Sequence, residues 1–340
     1  MSKQDISPSG KHYCILYGNL YTKYLNRIHK IDSRTNVENN LVLGEQGDII
    51  LPLSGETPTD ISNSAVLPFN NIALGSDIIV FRPIDQNSLF LSYQISWKRK
   101  LDIAKIAQGK TIVHSSPKSL SKIFVFCPHL KEQEKISNFL SLIDEKIINM
   151  SSKIQGLKKY KEGLVNQVIL PLFKNETLSL NDACKITTGK LDANAMEKDG
   201  KYKFFTCSRG DFFINKYAFD CEALLISGNG EVGLSKYYKG KFNAYQRTYV
   251  LYDFKIDATF IKLCFDAQIN SVIKEETNKG AMPYIRLSSF SKIKIPQISN
   301  SKVNMISCVF KTIDLKIKDE ENALCNIKKI KQYFLENMFI

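Results

Sequence analysis

The most familiar chemical spacing in the chain is Gly228-Asn229-Gly230-Glu231-Val232-Gly233, a G-x-G-x-x-G run behind a strand-like segment. A dinucleotide site needs a helix next, so that helix amides meet the pyrophosphate. The next segment, Leu234 to Phe242, is instead aromatic, broken by Gly240 and strand-like. The run is therefore expected to be a turn between two strands. Gln108-Gly109-Lys110-Thr111 ends like a phosphate loop, but Ala104 stands where its first glycine is required. No Pro-Pro or Pro-Asp dipeptide occurs, which removes the P-P-Y amino-methyltransferase and P-D…E-x-K nuclease signatures. His12, His29, His114 and His129 show no ligand spacing, and the eight cysteines form no C-x-x-C. Reduced thiols in a cytosol and no metal site are expected. No nucleophile, base and oxyanion site assemble, so no catalytic residue is assigned.

Binding chemistry is better represented. The 340 residues carry a formal charge of +13, which points to nucleic acid before anionic membrane. No apolar stretch approaches the ~20 residues that span a bilayer, and the polar N-terminus lacks a signal-peptide core. A cytoplasmic chain is expected. Aromatic and basic residues interleave around Tyr17–Tyr24, Phe204–Arg209 and Ser235–Lys241. Such mixtures suit phosphate contacts together with base-edge or stacking contacts. Read singly, each segment is as well explained by core aromatics flanked by solvated lysines. The DNA-face candidates are Tyr21, Lys23, Lys110, Arg209, Asn229, Lys236, Tyr245, Arg247 and Lys279.

The elements that must position these residues repeat at half the chain length. Offset by 170, residues 120–170 match 290–340 without gaps at twelve positions, among them Ser121-Lys122-Ile123, Ile143-Asp144, Lys146-Ile147 and Lys161. Upstream the repeat is weaker. Asp48–Gly55 resembles Glu222–Gly228, Gly10-Lys11 resembles Gly200-Lys201, and Gly109 matches Gly280. The halves carry +6 and +7. Each reads as a basic α+β unit of short strands followed by one long helix. The expected divisions are 1–129, 130–172, 173–297 and 298–340. Strands are expected at 12–18, 48–53, 65–69 and 78–82, then at 184–188, 202–207, 223–227, 234–239, 245–252 and 292–296. Shorter helices are expected at 87–107 and 258–276.

The long helices carry a heptad seam. Ile136, Leu140, Ile143, Ile147, Met150, Ile154, Leu157, Lys161, Leu164 and Val168 alternate in steps of 4 and 3. The second copy runs Ile306, Phe310, Ile313, Ile317, Glu320, Leu324, Ile327, Lys331, Phe334 and Met338. A sustained 3.5-residue period predicts an antiparallel coiled coil of two helices, each about 57 Å long. Its interface is assigned to Leu140, Ile143, Ile147, Ile154, Leu157, Lys161, Phe310, Ile313, Ile317, Glu320, Leu324 and Ile327. Pairing the seam charges sets Lys161 opposite Glu320 and Lys331 opposite Met150. Asp144, Glu145 and Lys146 are expected on a solvated outer face.

Pro128-x-x-x-Glu132-Gln133-x-x-Ile136, with Ile143-Asp144-Glu145-Lys146 and Leu157-Lys158-Lys159-Tyr160-Lys161, resembles the first conserved helix of specificity (S) subunits of type I restriction–modification systems. The second copy is similar but has Lys302-Val303 in place of Glu-Gln. The resemblance implies two target-recognition domains, each reading half of a split DNA site through the major groove, held apart by the helix pair. It implies a non-catalytic chain without a cofactor of its own. Two methyltransferase (M) subunits would supply S-adenosylmethionine chemistry, with two optional restriction (R) subunits using ATP and Mg. Other readings from the residues are a DNA methyltransferase or nuclease with unrecognised motifs, and a coiled-coil structural or regulatory protein that binds no DNA. One departure stands out. About 22 residues from Leu178 precede the Gly-Lys segment of the second half, whereas nine precede it in the first. The first domain is expected to have a missing or very short opening strand, as in a truncated or variant allele, and either to be unstable or to need a partner to complete it.

Overall fold

The computed structural model describes residues 1–39, 41–109, 111–276 and 284–339. Lys110, Lys279 and Gly280 lie outside the described residues. Two compact units divide the chain: residues 1–151 with 322–340, and residues 152–321. Each unit thus takes part of each long helix, a division that cuts across the four segments read from the sequence.

The first unit is built from short pieces: β1 (His12–Ile15), α1 (Asn19–Thr22), β2 (Arg34–Thr35), β3 (Val42–Gly44), β4 (Ile49–Pro52), β5 (Ser54–Gly55), β6 (Ala65–Val66), β7 (Ile72–Leu74), β8 (Ile78–Phe81), α2 (Ser88–Ser96), α3 (Lys100–Ile106), β9 (Val113–His114) and α4 (Pro117–Leu120), followed by the long helix α5 (Leu130–Leu164), whose residues from 152 on belong to the second unit. They form three small sheets, ordered β2-β1-β7-β3, β6-β4-β8 and β5-β9. The single helix expected over 87–107 breaks into α2 and α3. The chain turns at 97–99, which lets Ile103 of α3 join Ile61, Val113 and Leu120 in a core of its own.

The second unit is more regular. It contains β10 (Thr177–Ser179), α6 (Leu180–Ala183), β11 (Lys185–Thr188), β12 (Tyr202–Phe205), β13 (Phe212–Ile214), β14 (Phe219–Ser227), β15 (Ser235–Ala244), β16 (Thr248–Tyr252), α7 (Ala258–Glu276), β17 (Lys294–Pro296) and α8 (Asn300–Asn337). A six-stranded sheet runs β11-β16-β14-β15-β12-β13, and β10 pairs with β17. Alternation along β14 explains the two-sided core. Leu224 and Ile226 face a cluster with Phe260 and Phe265 of α7. Ala223 and Leu225 face Phe242 and Val250, with Phe205 and Tyr238 against them.

Within each unit the long helices pack antiparallel. In the first, the Phe139 and Phe334 rings meet edge to face at 4.8 Å, and Asp144 Oδ1 takes Lys331 Nζ at 2.5 Å. In the second, Lys161 Nζ lies 2.5 Å from Asp314 Oδ1, and Lys153 pairs with Glu320. Leu140, Ile143, Met150, Ile154, Ile306, Phe310 and Ile317 are buried, and Ile147, Leu157, Ile313, Leu324 and Ile327 are half-buried. Ile306 and Phe310 belong to the second unit's core and Leu140 to a cluster with Phe90 and Leu335. The expected charge register is not the one observed. Lys161 meets Asp314, six residues from the expected Glu320, and Lys331 meets Asp144 instead of Met150. Asp144 is no outer-face residue either, being 2% exposed. The pairing overlooked two acids just beside the seam. Asp144 and Lys161 are repeated as Asp314 and Lys331, so the two ion pairs are the same contact made twice.

The first copy of that contact is desolvated. Tyr93 Oη donates to Asp144 Oδ2 at 2.6 Å, and Lys331 lies over the Tyr93 and Trp97 rings. Burial first, then the facing carboxylate, raises the Tyr93 phenol well above its ordinary value. The second copy is wet, with Lys161 and Asp314 side chains 26% and 49% exposed. Stranding one partner of a buried pair costs about 3–5 kcal/mol, while an exposed pair is worth about 0–1 kcal/mol. Asp144→Ala should therefore lower stability in urea unfolding by several times as much as Asp314→Ala. Equal losses would show that burial does not set the value of the contact.

Candidate nucleic-acid interface

Three loops converge at one end of the six-stranded sheet in the second unit. The G-x-G-x-x-G run is the β14–β15 turn, as expected, and it leads into β15 rather than a helix. Gly228 N–H donates to Arg247 O at 3.0 Å, and Glu231 N–H donates to Cys207 O at 3.1 Å. These bonds tie the 228–234 turn to the loops at 206–211 and 245–247. A side chain at 228 would meet Arg247 O at 2.7 Å. Gly230 has φ +61°, and a Cβ there would lie 2.8 Å from Cys207 O. Glycine fits both positions because backbone approaches backbone.

Five candidate residues gather here. Arg209 Nε lies 2.5 Å from Glu231 Oε2, and both side chains are open to solvent. Lys236 Nζ donates to Ser208 O at 2.7 Å. Partial burial pulls the Lys236 ammonium below its ordinary value. Asn229 Oδ1 is buried with no hydrogen-bond partner among the described residues. Tyr245 is half-buried where its N–H donates to Phe205 O at 2.8 Å, and Arg247 is exposed. The arrangement places three basic side chains and an aromatic ring at one end of the sheet, side-chain types that phosphate contacts use.

Sequence reasoning missed two neighbours. Ile285 N–H donates to Gly228 O at 2.9 Å, and Tyr249 Oη donates to Ile285 O at 3.0 Å. They bring exposed Tyr284 and Arg286 to the same end of the sheet, with the guanidinium 4.9 Å from the Tyr284 ring centre. Tyr284-x-Arg286 is itself an aromatic-basic pair, the signal used elsewhere in the chain.

In the first unit the remaining candidates stand apart from any such cluster. Tyr21 lies on α1 with its ring 6.4 Å from Tyr17, and Lys23 pairs with Asp32 at 3.1 Å. Ser54, the counterpart of Ser227 before the turn, is a structural hub. Its Oγ donates to Asp77 Oδ2 at 3.0 Å and sits 2.7 Å from His114 Nδ1. The group joins β5 to β9.

Residues 17–159 and 174–329 each match the family described as Type I restriction modification DNA specificity domain. The chain belongs to that family. Its two specificity domains account for the half-length repeat. A curated relative, the Type I restriction enzyme EcoDI specificity subunit of Escherichia coli, is 37% identical over 159 residues, 47% of this chain and 35% of that protein. The match therefore spans about a third of the relative's length. The S subunit from M. genitalium superposes with TM-score 0.72 at 17% identity, covering 100% of this chain and 91% of that one. A chain from a type I R-M system complex gives TM-score 0.52 at 14% identity, covering 97% and 91%. Both likenesses are of fold. In this specificity-domain chain the family's Gln133 is a staple rather than a reader. It is buried, accepts from Asn87 N–H at 3.0 Å and donates to Pro128 O at 2.8 Å. Asn87 in turn caps α2 through Phe90 N–H at 2.8 Å. The second domain has Val303 there and makes the junction differently. Asp257 caps α7 through Thr259 N–H at 2.8 Å, and Lys311 Nζ holds its other oxygen at 2.8 Å.

The Gly230 turn is rigid by construction. Gly230→Ala forces a side chain into left-handed backbone and against Cys207 O, which should cost about 1–3 kcal/mol. Heat unfolding of the variant checks this; an unchanged transition would mean the loops are not tied as described.

Proposed function

We propose that the chain is the non-catalytic DNA-specificity subunit of a type I restriction–modification methyltransferase. The observation that supports this best is the double match to the specificity domain, residues 17–159 and 174–329. On this reading each domain reads one half of a bipartite duplex site, and the helix pair is the spacer. Two methyltransferase subunits carry the S-adenosylmethionine chemistry. Two restriction subunits, where present, use ATP and Mg. Among the described residues, no helix is long and apolar enough to cross a membrane. A cytoplasmic location belongs to the same proposal. Methylome sequencing of a strain with and without the gene tests it. A bipartite methylated site should vanish with the gene, and an unchanged methylome would reject the assignment.

Phosphate contacts release counterions, so duplex binding should weaken steeply with salt, by about 0.9 log unit per log unit of salt for each neutralised phosphate. Arg247→Ala should flatten that slope by about one contact, read by titration at several salt concentrations. A slope identical to the unaltered chain would remove Arg247 from the interface. Recognition should also be modular. Exchanging residues 173–297 for another second domain should change one half-site in the methylome and leave the other. Simultaneous change of both would contradict two separate readers.

A further inference from the structure

Arg209 differs from the other cations at the loop end of the six-stranded sheet, because its charge is already answered. Its Nε donates to Glu231 Oε2 at 2.5 Å, and its Nη groups make no hydrogen bond among the described residues. The two side chains are 79% and 42% exposed. An ion pair this wet adds little to stability. Yet both backbones that carry it are fixed. Glu231 N–H donates to Cys207 O at 3.1 Å, and Gly233 N–H donates to Ser227 O at 2.9 Å behind it. Lys236 Nζ holds Ser208 O, one residue before Arg209, at 2.7 Å. One residue after it, a Cβ at Gly210 would lie 2.7 Å from the Phe212 ring, so the loop is packed there too.

A guanidinium carries all its N–H donors in one plane. Glu231 takes the Nε edge and so sets that plane. The donors left over are the Nη pair, spaced to meet two acceptors side by side. Duplex DNA offers such acceptors in two places: phosphate oxygens, and guanine O6 with N7 in the major groove. The carboxylate decides between them. Glu231 cancels the charge that would draw a phosphate in, and its own charge repels one. A guanine edge is neutral, so it needs directed donors rather than net charge. Arg247, exposed on the neighbouring loop, has no ion pair among the described residues and keeps its full charge for phosphate.

We propose that Arg209 reads a guanine of the second half-site through O6 and N7, and that Glu231 is its positioning residue, holding the guanidinium plane and turning phosphate away. This assignment rests on the DNA-specificity reading above and names one base that the second domain selects. Adenine keeps N7 but presents an N6 donor where guanine has O6, so one of the two hydrogen bonds becomes a donor facing a donor. Discrimination on the order of tenfold to a hundredfold at that one position follows.

The methylome gives the bipartite site, and the exchange of residues 173–297 shows which half belongs to the second unit. Duplexes with each base pair of that half replaced in turn are then titrated with the assembled methyltransferase at several salt concentrations. Arg209→Ala should lose the preference at one guanine and leave the salt slope unchanged, since a neutral pair releases no counterion. Glu231→Ala should weaken the preference at the same guanine and steepen the slope by up to one contact, since the freed cation turns to phosphate. Glu231→Gln keeps an acceptor for Nε–H and should retain more of the preference than alanine does. Four results with Arg209→Ala overturn the proposal: an unchanged preference at every position, a loss at a position without guanine, uniform weakening across all duplexes, or a slope flattened as by Arg247→Ala. A second half-site without a G·C pair overturns it as well. A methylome with no site that depends on the gene overturns the DNA-specificity reading and this assignment with it, so the two failures are told apart.

Discussion

The Asp–Lys contact between the long helices is the constraint on which the rest of the structure turns. An apolar heptad seam alone tolerates sliding by a whole heptad, because leucine and isoleucine accept many neighbours. A buried carboxylate does not. Asp144 is closed in by Tyr93, Lys331 and the helix walls, so any other register leaves a charge stranded in apolar surroundings. Because the chain repeats at 170 residues, fixing Asp144 against Lys331 is also fixing Lys161 against Asp314. One sequence decision made twice thus aligns both halves of the helix pair.

The two units have shared logic and unequal finish. Each ties its long helix to the cap of a shorter helix, through Gln133 and Asn87 in one and Lys311 and Asp257 in the other. Each clamps the segment entering its long helix with one glutamine, Gln94 or Gln268. The second unit adds β10, α6 and β11, and with them a continuous sheet whose end gathers Arg209, Asn229, Lys236, Tyr245 and Arg247. The sheets of the first unit stay small, and its candidate residues remain scattered.

Much of this was legible in the residues. The half-length repeat, the G-x-G-x-x-G run as a turn and the helix over 258–276 all come from local pattern, because periodicity and turn chemistry act over a few residues. The register was legible in principle: Asp144 and Lys161 recur as Asp314 and Lys331. Attention to seam charges alone passed over the acids beside the seam.

The sequence by itself determined the α+β class, the two-unit repeat and the helix pair, since each is set by short-range spacing and by how much apolar surface must be hidden. Only the tertiary structure decided which charges meet, which loops converge and which strand edge is left bare. Those outcomes depend on residues far apart in the chain. Asp144 reads as a surface acid until Tyr93 and Lys331, 51 and 187 positions away, enclose it. Tyr284 and Arg286 look incidental until the Ile285 amide reaches Gly228. Phe124, Val125 and Phe126 are an apolar run, and no strand among the described residues pairs with them. Burial is a property of the whole packing arrangement, so no local pattern announces its absence.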